Sequence, residues 1–154
     1  MIPKEFFVTK GKACSPLSEL NAFDQALANA GISHLNLVAV TSILPKGCVQ
    51  RRRLEIPMGA ITHAVIARMD GTGGQKIGAA IAWSTKKNGK GGIVAETYGH
   101  MDERALLKAV KRKLIEMAKT RTINLTKINY VYEALRVPSG HYGCVIVALV
   151  FSPI

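Results

Sequence analysis

The order of the predicted elements indicates an α+β protein, built as a layered sandwich of antiparallel or mixed sheets. Two segments have the apolar period of helices, and the other regular segments have the composition of strands separated by turns. Their order lacks the alternating strand–helix crossovers of a doubly wound parallel sheet. The chain has 154 residues, 48% hydrophobic and 20% charged, which suits one globular domain with a buried core. We therefore expect residues 1–154 to form a single domain.

The N-terminal segment predicts a strand followed by a helix. Residues 5–12 have the composition of a strand. Ser15 and Pro16 predict a helix N-cap with proline at the first helical position, and Gly31 predicts the end of the helix. The buried face of this helix should carry the apolar residues that recur at i, i+3 and i+7, which are Leu20, Phe23 and Leu27.

A second strand is predicted over residues 35–43, before a turn at Pro45 and Gly47. Two adjacent hydroxyl residues, Thr41 and Ser42, lie near its end. A hydrolytic serine would need a histidine partner, but the four histidines are scattered and the chain has no Gly-x-Ser-x-Gly elbow. The histidines also lack the spacing of metal ligands, so no metal site is predicted.

The middle of the chain predicts an antiparallel meander. Its three strand-like stretches are residues 61–69, 76–84 and 92–99. Residues 70–74 and 87–90 have the composition of turns, and we interpret the glycine-rich first one as a hairpin turn, since no lysine and serine of a phosphate loop follow it.

The C-terminal part predicts a helix and two strands. Asp102 should cap a helix that runs to about Thr120, with a core face of Leu106, Leu107, Val110, Leu114 and Met117. Strands follow over residues 128–136 and 143–151. The second is a continuous apolar run, which predicts a central strand buried on both faces.

The net charge of +11 raises the possibility of a basic nucleic-acid-binding domain. The basic clusters are residues 51–53, 86–90 and 108–119, and the last follows a helical period typical of a solvated face. Aromatic residues make up only 6% of the chain and do not alternate with the basic runs, as a stacking platform would require. Nucleic-acid binding is therefore kept as an alternative and not as the main hypothesis.

Cysteine use and hydropathy indicate a cytoplasmic protein that does not span a membrane. Cys14, Cys48 and Cys144 are odd in number and have no C-x-x-C spacing, so we expect reduced thiols and not a disulfide frame or zinc site. The longest apolar run, residues 144–151, is far shorter than a membrane span. The N-terminus has no signal-peptide pattern.

Two carboxylates are candidates for chemistry. Asp24 lies beside Leu20 around the predicted helix, where it either reaches solvent or binds a cationic ligand. Glu96 is flanked by glycines and is the only charged residue between Lys90 and Asp102. If its strand is buried, desolvation raises the pKa of Glu96 and makes it a proton donor near neutral pH; the alternative is an outward-facing glutamate.

Four short blocks together resemble the pyruvoyl-dependent arginine decarboxylase family. They are residues 20–27 (Leu-Asn-Ala-Phe-Asp-Gln-Ala-Leu), 36–37 (Asn-Leu), 41–45 (Thr-Ser-Ile-Leu-Pro) and 95–96 (Ala-Glu). Their order and spacing, together with the chain length, extend the resemblance over nearly the whole sequence. The resemblance implies an αββα-type sandwich and a homotrimer with active sites between subunits.

The same resemblance implies that the chain cleaves itself. Ser42 would attack the carbonyl of Thr41, and the products would be residues 1–41 and residues 42–154 with a pyruvoyl group in place of Ser42. Asn36 would donate a hydrogen bond to the oxyanion of this rearrangement. Thr41 stands where the family usually has a serine, but this residue contributes its carbonyl, so we expect cleavage to survive.

The implied reaction is the conversion of L-arginine to agmatine and CO2, which serves either polyamine biosynthesis or acid resistance. The covalent pyruvoyl group would form a Schiff base with arginine, without a metal or pyridoxal phosphate. Glu96 would protonate the resulting carbanion, and Asp24 would bind the guanidinium group. Leu20 and Leu27 would line the aliphatic part of the pocket. A pyruvoyl decarboxylase of another amino acid is the alternative within enzymes.

Overall fold

Two sheets packed face to face form the centre of the molecule, and a helix covers the outer face of each sheet. The structure is a computed structural model, and it describes residues 1–153. In chain order the elements are β1 (Glu5–Ser15), α1 (Glu19–Asn29), β2 (Asn36–Ala39), β3 (Ile43–Leu44), β4 (Val49–Gln50), β5 (Ile61–Thr72), β6 (Lys76–Thr85), β7 (Gly92–Gly99), α2 (Glu103–Thr120), β8 (Asn129–Arg136) and β9 (Tyr142–Phe151). The predicted α+β sandwich is confirmed.

The two sheets differ in size, and each contains neighbouring strands that are far apart in the sequence. One has five strands in the order β2-β5-β9-β1-β4, and the other has four in the order β3-β7-β6-β8. The β2–β5 and β1–β4 pairs are parallel, and the other pairs are antiparallel. β9 lies at the centre of the larger sheet and is buried from Gly143 to Phe151, as its apolar run predicted.

The core consists of three apolar layers. The middle layer lies between the sheets and includes Val65 and Val147 from the larger sheet and Ile81 from the smaller one. The second layer packs α1 against β1, β5 and β9, and the third packs α2 against β6 and β7. Burial of apolar surface in these layers is the main favourable contribution to folding. α1 and α2 therefore lie on opposite outer faces of the sandwich.

The predicted strand over residues 35–43 is in fact two strands in different sheets. β2 pairs with β5 in the larger sheet, whereas β3 pairs with β7 in the smaller one. The amide of Val40 donates to the Ala64 carbonyl at 2.9 Å, and the Ser42 carbonyl accepts from the Val94 amide at 2.9 Å. The backbone thus leaves one ladder and joins the other within three residues, which a local apolar pattern cannot reveal.

The start of α1 was predicted wrongly. Ser15 is the last residue of β1, and its hydroxyl accepts a hydrogen bond from the Leu17 amide. The helix begins at Glu19, where the hydroxyl of Ser18 caps it by accepting from the Asn21 amide at 3.0 Å. The predicted end is confirmed, because Gly31 follows the C-cap with φ +75°.

The buried face of α1 also differs from the predicted one. Leu20 is 72% exposed, and the fully buried positions are Ala22 and Ala26. A side-chain carbon at Gly11 of β1 would lie 2.2 Å from the Ala26 carbonyl oxygen. The helix approaches β1 so closely at this point that only small side chains fit between them. Of the three predicted apolar residues, Phe23 and Leu27 are partly buried in the second core layer, between α1 and the larger sheet.

The predicted meander is correct only for β6 and β7, which pair antiparallel. β5 belongs to the other sheet, so residues 70–74 lead from one sheet to the other and do not form a hairpin turn. α2 begins after the predicted cap Asp102 and buries Leu106, Val110 and Leu114 as expected. Within residues 1–153, no helix is long and apolar enough to cross a membrane.

Candidate active site

Ser42 lies where the chain passes from the larger sheet to the smaller one. The backbone is anchored before it at Val40 and at its own carbonyl, which accepts from Val94. Between these anchors, in the part of the chain that the structure describes, the amide and carbonyl of Thr41 make no backbone hydrogen bond. Thr41 is exposed and Ser42 is half-buried. The Thr41–Ser42 peptide is therefore held at both ends and accessible in the middle.

A cavity of about 670 Å³ opens beside Ser42. One wall contains Ser42, Ala95 and Glu96. Ser42, at the end of the segment that passes between the sheets, therefore lies next to β7. The other wall is one face of α2, and its residues are Ala105, Lys108, Ala109, Arg112, Lys113, Glu116 and Met117. The cavity is large enough for an amino acid, and most of its lining surface is apolar, with charged groups on the α2 side.

Glu96 has the electrostatic setting of a proton donor. Its Oε2 atom is buried and has no hydrogen-bond partner within residues 1–153. Burial raises the pKa of the Glu96 carboxyl, and the nearby positive charge of Lys113 acts in the opposite direction. The net direction is upward, so the protonated form persists to higher pH than in an exposed glutamate. A buried carboxyl that lacks a partner is ready to exchange a proton with a bound molecule.

Basic residues on α2 belong to this cavity, although the sequence indicated a solvated face. Lys108, Arg112 and Lys113 line it. The Lys113 ammonium group donates to Thr97 Oγ1 at 3.0 Å and to the Glu96 carbonyl oxygen at 3.4 Å. Nothing in the helical period distinguishes these residues from other exposed lysines, because their role depends on where β7 lies.

The structure does not bring all the predicted site residues together in one chain. Ser42 and Glu96 share the cavity. Asp24 is exposed on α1, which covers the other outer face of the sandwich. On the same helix, the side chain of Leu20 is exposed and that of Leu27 is half-buried. Asn36 begins β2, and its side-chain amide donates to the Gly59 carbonyl at 2.9 Å.

Comparison with known proteins agrees with this geometry. A sequence model of the family described as pyruvoyl-dependent arginine decarboxylase matches residues 5–154. The chain belongs to this family. A pyruvoyl-dependent arginine decarboxylase of Methanopyrus kandleri is 31% identical to it over 150 residues, which are 97% of either chain. One from Thermococcus kodakarensis is 31% identical over 116 residues, or 74% of this chain and 73% of the relative.

A solved structure supports the fold of the family. It is that of a pyruvoyl-dependent histidine decarboxylase, which superposes with a TM-score of 0.50 at 16% identity. The match covers 68% of this chain and 55% of the other chain, so the present chain spans about half of that protein. At this identity the similarity concerns the fold of the sandwich.

The residues around position 42 fit the covalent pyruvoyl group of the family. A serine occupies the position, at the wall of a cavity that holds an unpartnered buried carboxyl oxygen. Residues 1–153 contain no cluster of three or more histidine, cysteine, aspartate or glutamate side chains that could hold a metal ion.

Proposed function

We propose that this protein is a self-processing, pyruvoyl-dependent decarboxylase that converts L-arginine to agmatine and CO2. The observation that carries the proposal is the common cavity of Ser42 and the buried, unpartnered carboxyl oxygen of Glu96. Membership of the family supports the cofactor, and the names of the relatives support arginine as the substrate.

The proposed cleavage uses the hydroxyl of Ser42 as an internal nucleophile. The Oγ atom attacks the Thr41 carbonyl carbon, and an ester bond replaces the peptide bond. Elimination then breaks the Cβ–Oγ bond of residue 42, so that residues 1–41 leave with a C-terminal carboxylate. Hydrolysis of the remaining dehydroalanine consumes one water, releases ammonia and leaves pyruvoyl at residue 42. The anchored but accessible Thr41–Ser42 peptide supports this step.

Asn36 is proposed as the donor to the oxyanion that forms on Thr41 during cleavage. The support for this role is its place six residues before Ser42 in the family pattern. In the present structure its amide donates to the Gly59 carbonyl. β2 is extended, so Asn36 lies about 16 Å from Thr41 of the same chain, and the role therefore requires the Asn36 side chain of a neighbouring copy to reach the reacting carbonyl.

In the proposed decarboxylation, each site residue has one task. A pyruvoyl group at residue 42 supplies a carbonyl that accepts electrons as CO2 leaves. Glu96 delivers a proton to the carbon that loses CO2, which its upward-shifted pKa supports. Asp24 pairs with the guanidinium group, for which a planar carboxylate is well suited. Leu20 and Leu27 contact the aliphatic chain of the substrate.

A site with these residues requires more than one copy of the chain. Asp24 lies on the outer helix α1, whereas Glu96 lies on β7 of the other sheet, so α1 of one copy would have to close the cavity of the next. Such a contact joins two different surfaces, and contacts of this kind form a ring when the rotation between neighbouring copies closes. Exposed apolar side chains on β2, on the segment that leads to Ser42, on β3 and at the start of β5 support the interface, and they are Val38, Val40, Ile43 and Ile61. We propose a homotrimer, the assembly that the family resemblance implies.

We also propose that the enzyme works in the cytoplasm. Cys14, Cys48 and Cys144 are free thiols in the structure. Burial raises the pKa of all three, so they react slowly as nucleophiles or in oxidation. Unpaired thiols of this kind are typical of proteins in a reducing compartment.

Mass spectrometry of the denatured protein tests the cleavage. We expect two fragments, residues 1–41 and residues 42–154, and a mass change on borohydride treatment that marks a carbonyl at the start of the larger one. The Ser42→Ala variant should remain one chain and should release no CO2 from arginine. A folded wild-type chain that stays intact would refute self-processing. A cleaved protein that decarboxylates another amino acid but not arginine would refute the substrate.

A further inference from the structure

Lys113 connects α2 to the strand that carries Glu96. We propose that Lys113 is a positioning residue for the proton donor: its ammonium group fixes the β7 backbone at Glu96 and places a positive charge beside the carboxyl. This inference rests on the proposed function. It assigns a task to a residue that the family resemblance left without one.

The hydrogen bonds of Lys113 determine where its charge lies. Its Nζ atom donates to the hydroxyl of Thr97, which is 1% exposed, and to the carbonyl oxygen of Glu96. Both acceptors belong to consecutive residues of β7, and neither is the carboxyl group itself. No ion pair between Lys113 and Glu96 is present in the described part of the chain. The ammonium is therefore held near the carboxyl without neutralising it by direct contact.

The charged groups around the cavity come almost entirely from α2. Lys108, Arg112 and Glu116 line it together with Lys113. In the facing sheet, β5 contributes one titratable side chain that points inward as Val65 does, and this is His63. The strands paired with β7 contribute none beside Glu96: Ile81 pairs with Glu96 itself, and β3 contains only Ile43 and Leu44. Lys113 is the charge that opposes the effect of burial on the pKa of Glu96.

This arrangement keeps the proton donor useful at physiological pH. Burial alone would favour the neutral carboxyl and make it a weak acid. A fixed positive charge nearby makes release of the proton easier, and efficient general acids have a pKa near the working pH. Loss of Lys113 should therefore keep Glu96 protonated to higher pH and slow the delivery of its proton.

The test compares variants that have first been shown to cleave at Ser42. Lys113→Met removes the charge and retains most of the alkyl chain, whereas Lys113→Arg retains the charge. Lys111→Met is the matched control, since Lys111 is on the same helix but lies over the Tyr130 ring at 4.4 Å. The measurement is kcat for release of CO2 from arginine as a function of pH. We expect Lys113→Met to shift the alkaline limb upward by about one pH unit, and Lys113→Arg and Lys111→Met to leave it in place.

Each outcome decides between the alternatives. An unmoved alkaline limb in Lys113→Met refutes the inference, and an equal shift in Lys111→Met shows an effect of net charge and refutes it as well. If Lys113→Met does not fold, Thr97→Val replaces it, since it removes one of the two acceptors of the Lys113 ammonium. We expect the alkaline limb of the kcat profile to move upward by a smaller amount, and an unchanged pH profile refutes the inference. Failure of the wild type to cleave or to decarboxylate arginine refutes the proposed function instead.

Discussion

Glu96, the proposed proton donor, carries a buried carboxyl oxygen that is unfavourable for stability. Its buried Oε2 atom has no partner in residues 1–153, and such atoms are uncommon in folded proteins. Ionisation of a desolvated carboxyl costs free energy that folding must supply from elsewhere. Proteins tolerate such residues mainly where chemistry requires them.

The variant Glu96→Gln should separate these two effects. We expect kcat to fall by about 10²- to 10⁴-fold, the usual contribution of a positioned general acid, while cleavage at Ser42 continues. The free energy of unfolding should rise at neutral pH, because the amide cannot ionise. The native pKa of Glu96 is raised, so the native state binds more protons than the unfolded state over the pH range between the two pKa values. The free energy of unfolding therefore falls as pH rises through that range.

Denaturation with urea at several pH values measures the stability effect. The uncleaved Ser42→Ala chain provides a single-chain background at fixed protein concentration. The stability advantage of Glu96→Gln should grow with pH across this range and then level off. Glu116→Gln is the control, because Glu116 lines the same cavity but is largely exposed. An advantage that is independent of pH, or equal in both variants, would contradict a desolvated carboxyl at position 96.

At the scale of elements, the close contact between α1 and β1 decides which side chains face inward. The helix passes over Gly11, with Ala22 and Ala26 as its buried residues. Arg68 of β5 holds the helix from the side: its guanidinium group lies 3.6 Å from the Phe23 ring and 3.0 Å from Asp70 Oδ2. This placement leaves Leu20 and Asp24 on the outer surface, where another copy could reach them.

The variant Gly11→Ala tests this close contact. Its side-chain carbon would meet the Ala26 carbonyl oxygen and the Ala30 amide nitrogen, and backbone atoms cannot move aside as a flexible side chain can. We expect a loss of about 3 kcal/mol in the free energy of unfolding. Gly140→Ala is the control, since Gly140 has φ +74° and open space around it, and its cost should be about 1 kcal/mol. A smaller loss for Gly11→Ala than for Gly140→Ala in urea denaturation would contradict the packing.

At the scale of the whole molecule, the two outer helices carry different parts of the proposed site. α2 forms a wall of the cavity next to Ser42, and α1 carries Asp24 on the far side of two sheets. A single copy would therefore carry the two halves of the proposed site on opposite sides of the sandwich. The proposed ring assembly joins these halves between neighbours.

Complementation between two variants tests whether the site is shared. Asp24→Asn alone should raise KM for arginine by about 10- to 100-fold, as expected for loss of a charge-assisted pair, and Glu96→Gln alone should lower kcat. In mixed assemblies, about a quarter of the sites should combine the unchanged Asp24 of one copy with the unchanged Glu96 of its neighbour. Arginine decarboxylation at a substrate concentration below the raised KM should then recover to a measurable fraction of the wild-type rate.

As a control, each variant is dissociated and reassembled on its own under the same conditions. Recovery in the mixture alone would show that the two residues come from different copies. No recovery, despite mixed assemblies in native mass spectrometry, would mean that Asp24 and Glu96 do not act in one shared site.

The predictions that succeeded depend on short stretches of chain. α2 could be delimited by its cap Asp102 and its apolar period, and the burial of β9 on both faces by its continuous apolar run. The predictions that failed depend on distant contacts. Leu20 is exposed because Gly11 allows α1 to pack through alanines, and residues 35–43 divide because β5 and β7 belong to different sheets.

The sequence by itself determined the types of the elements, the fold class, the membership of the family and the positions of Ser42 and Glu96. These properties are recorded locally, in apolar period, caps and short motifs. Only the tertiary structure decided that Ser42 lies at the crossing between two sheets, that Lys113 binds the β7 backbone at Glu96, and that Asp24 lies on the opposite side of the molecule. The reason is that strand pairing and helix placement depend on packing between residues far apart in sequence, and periodicity carries no information about the partner.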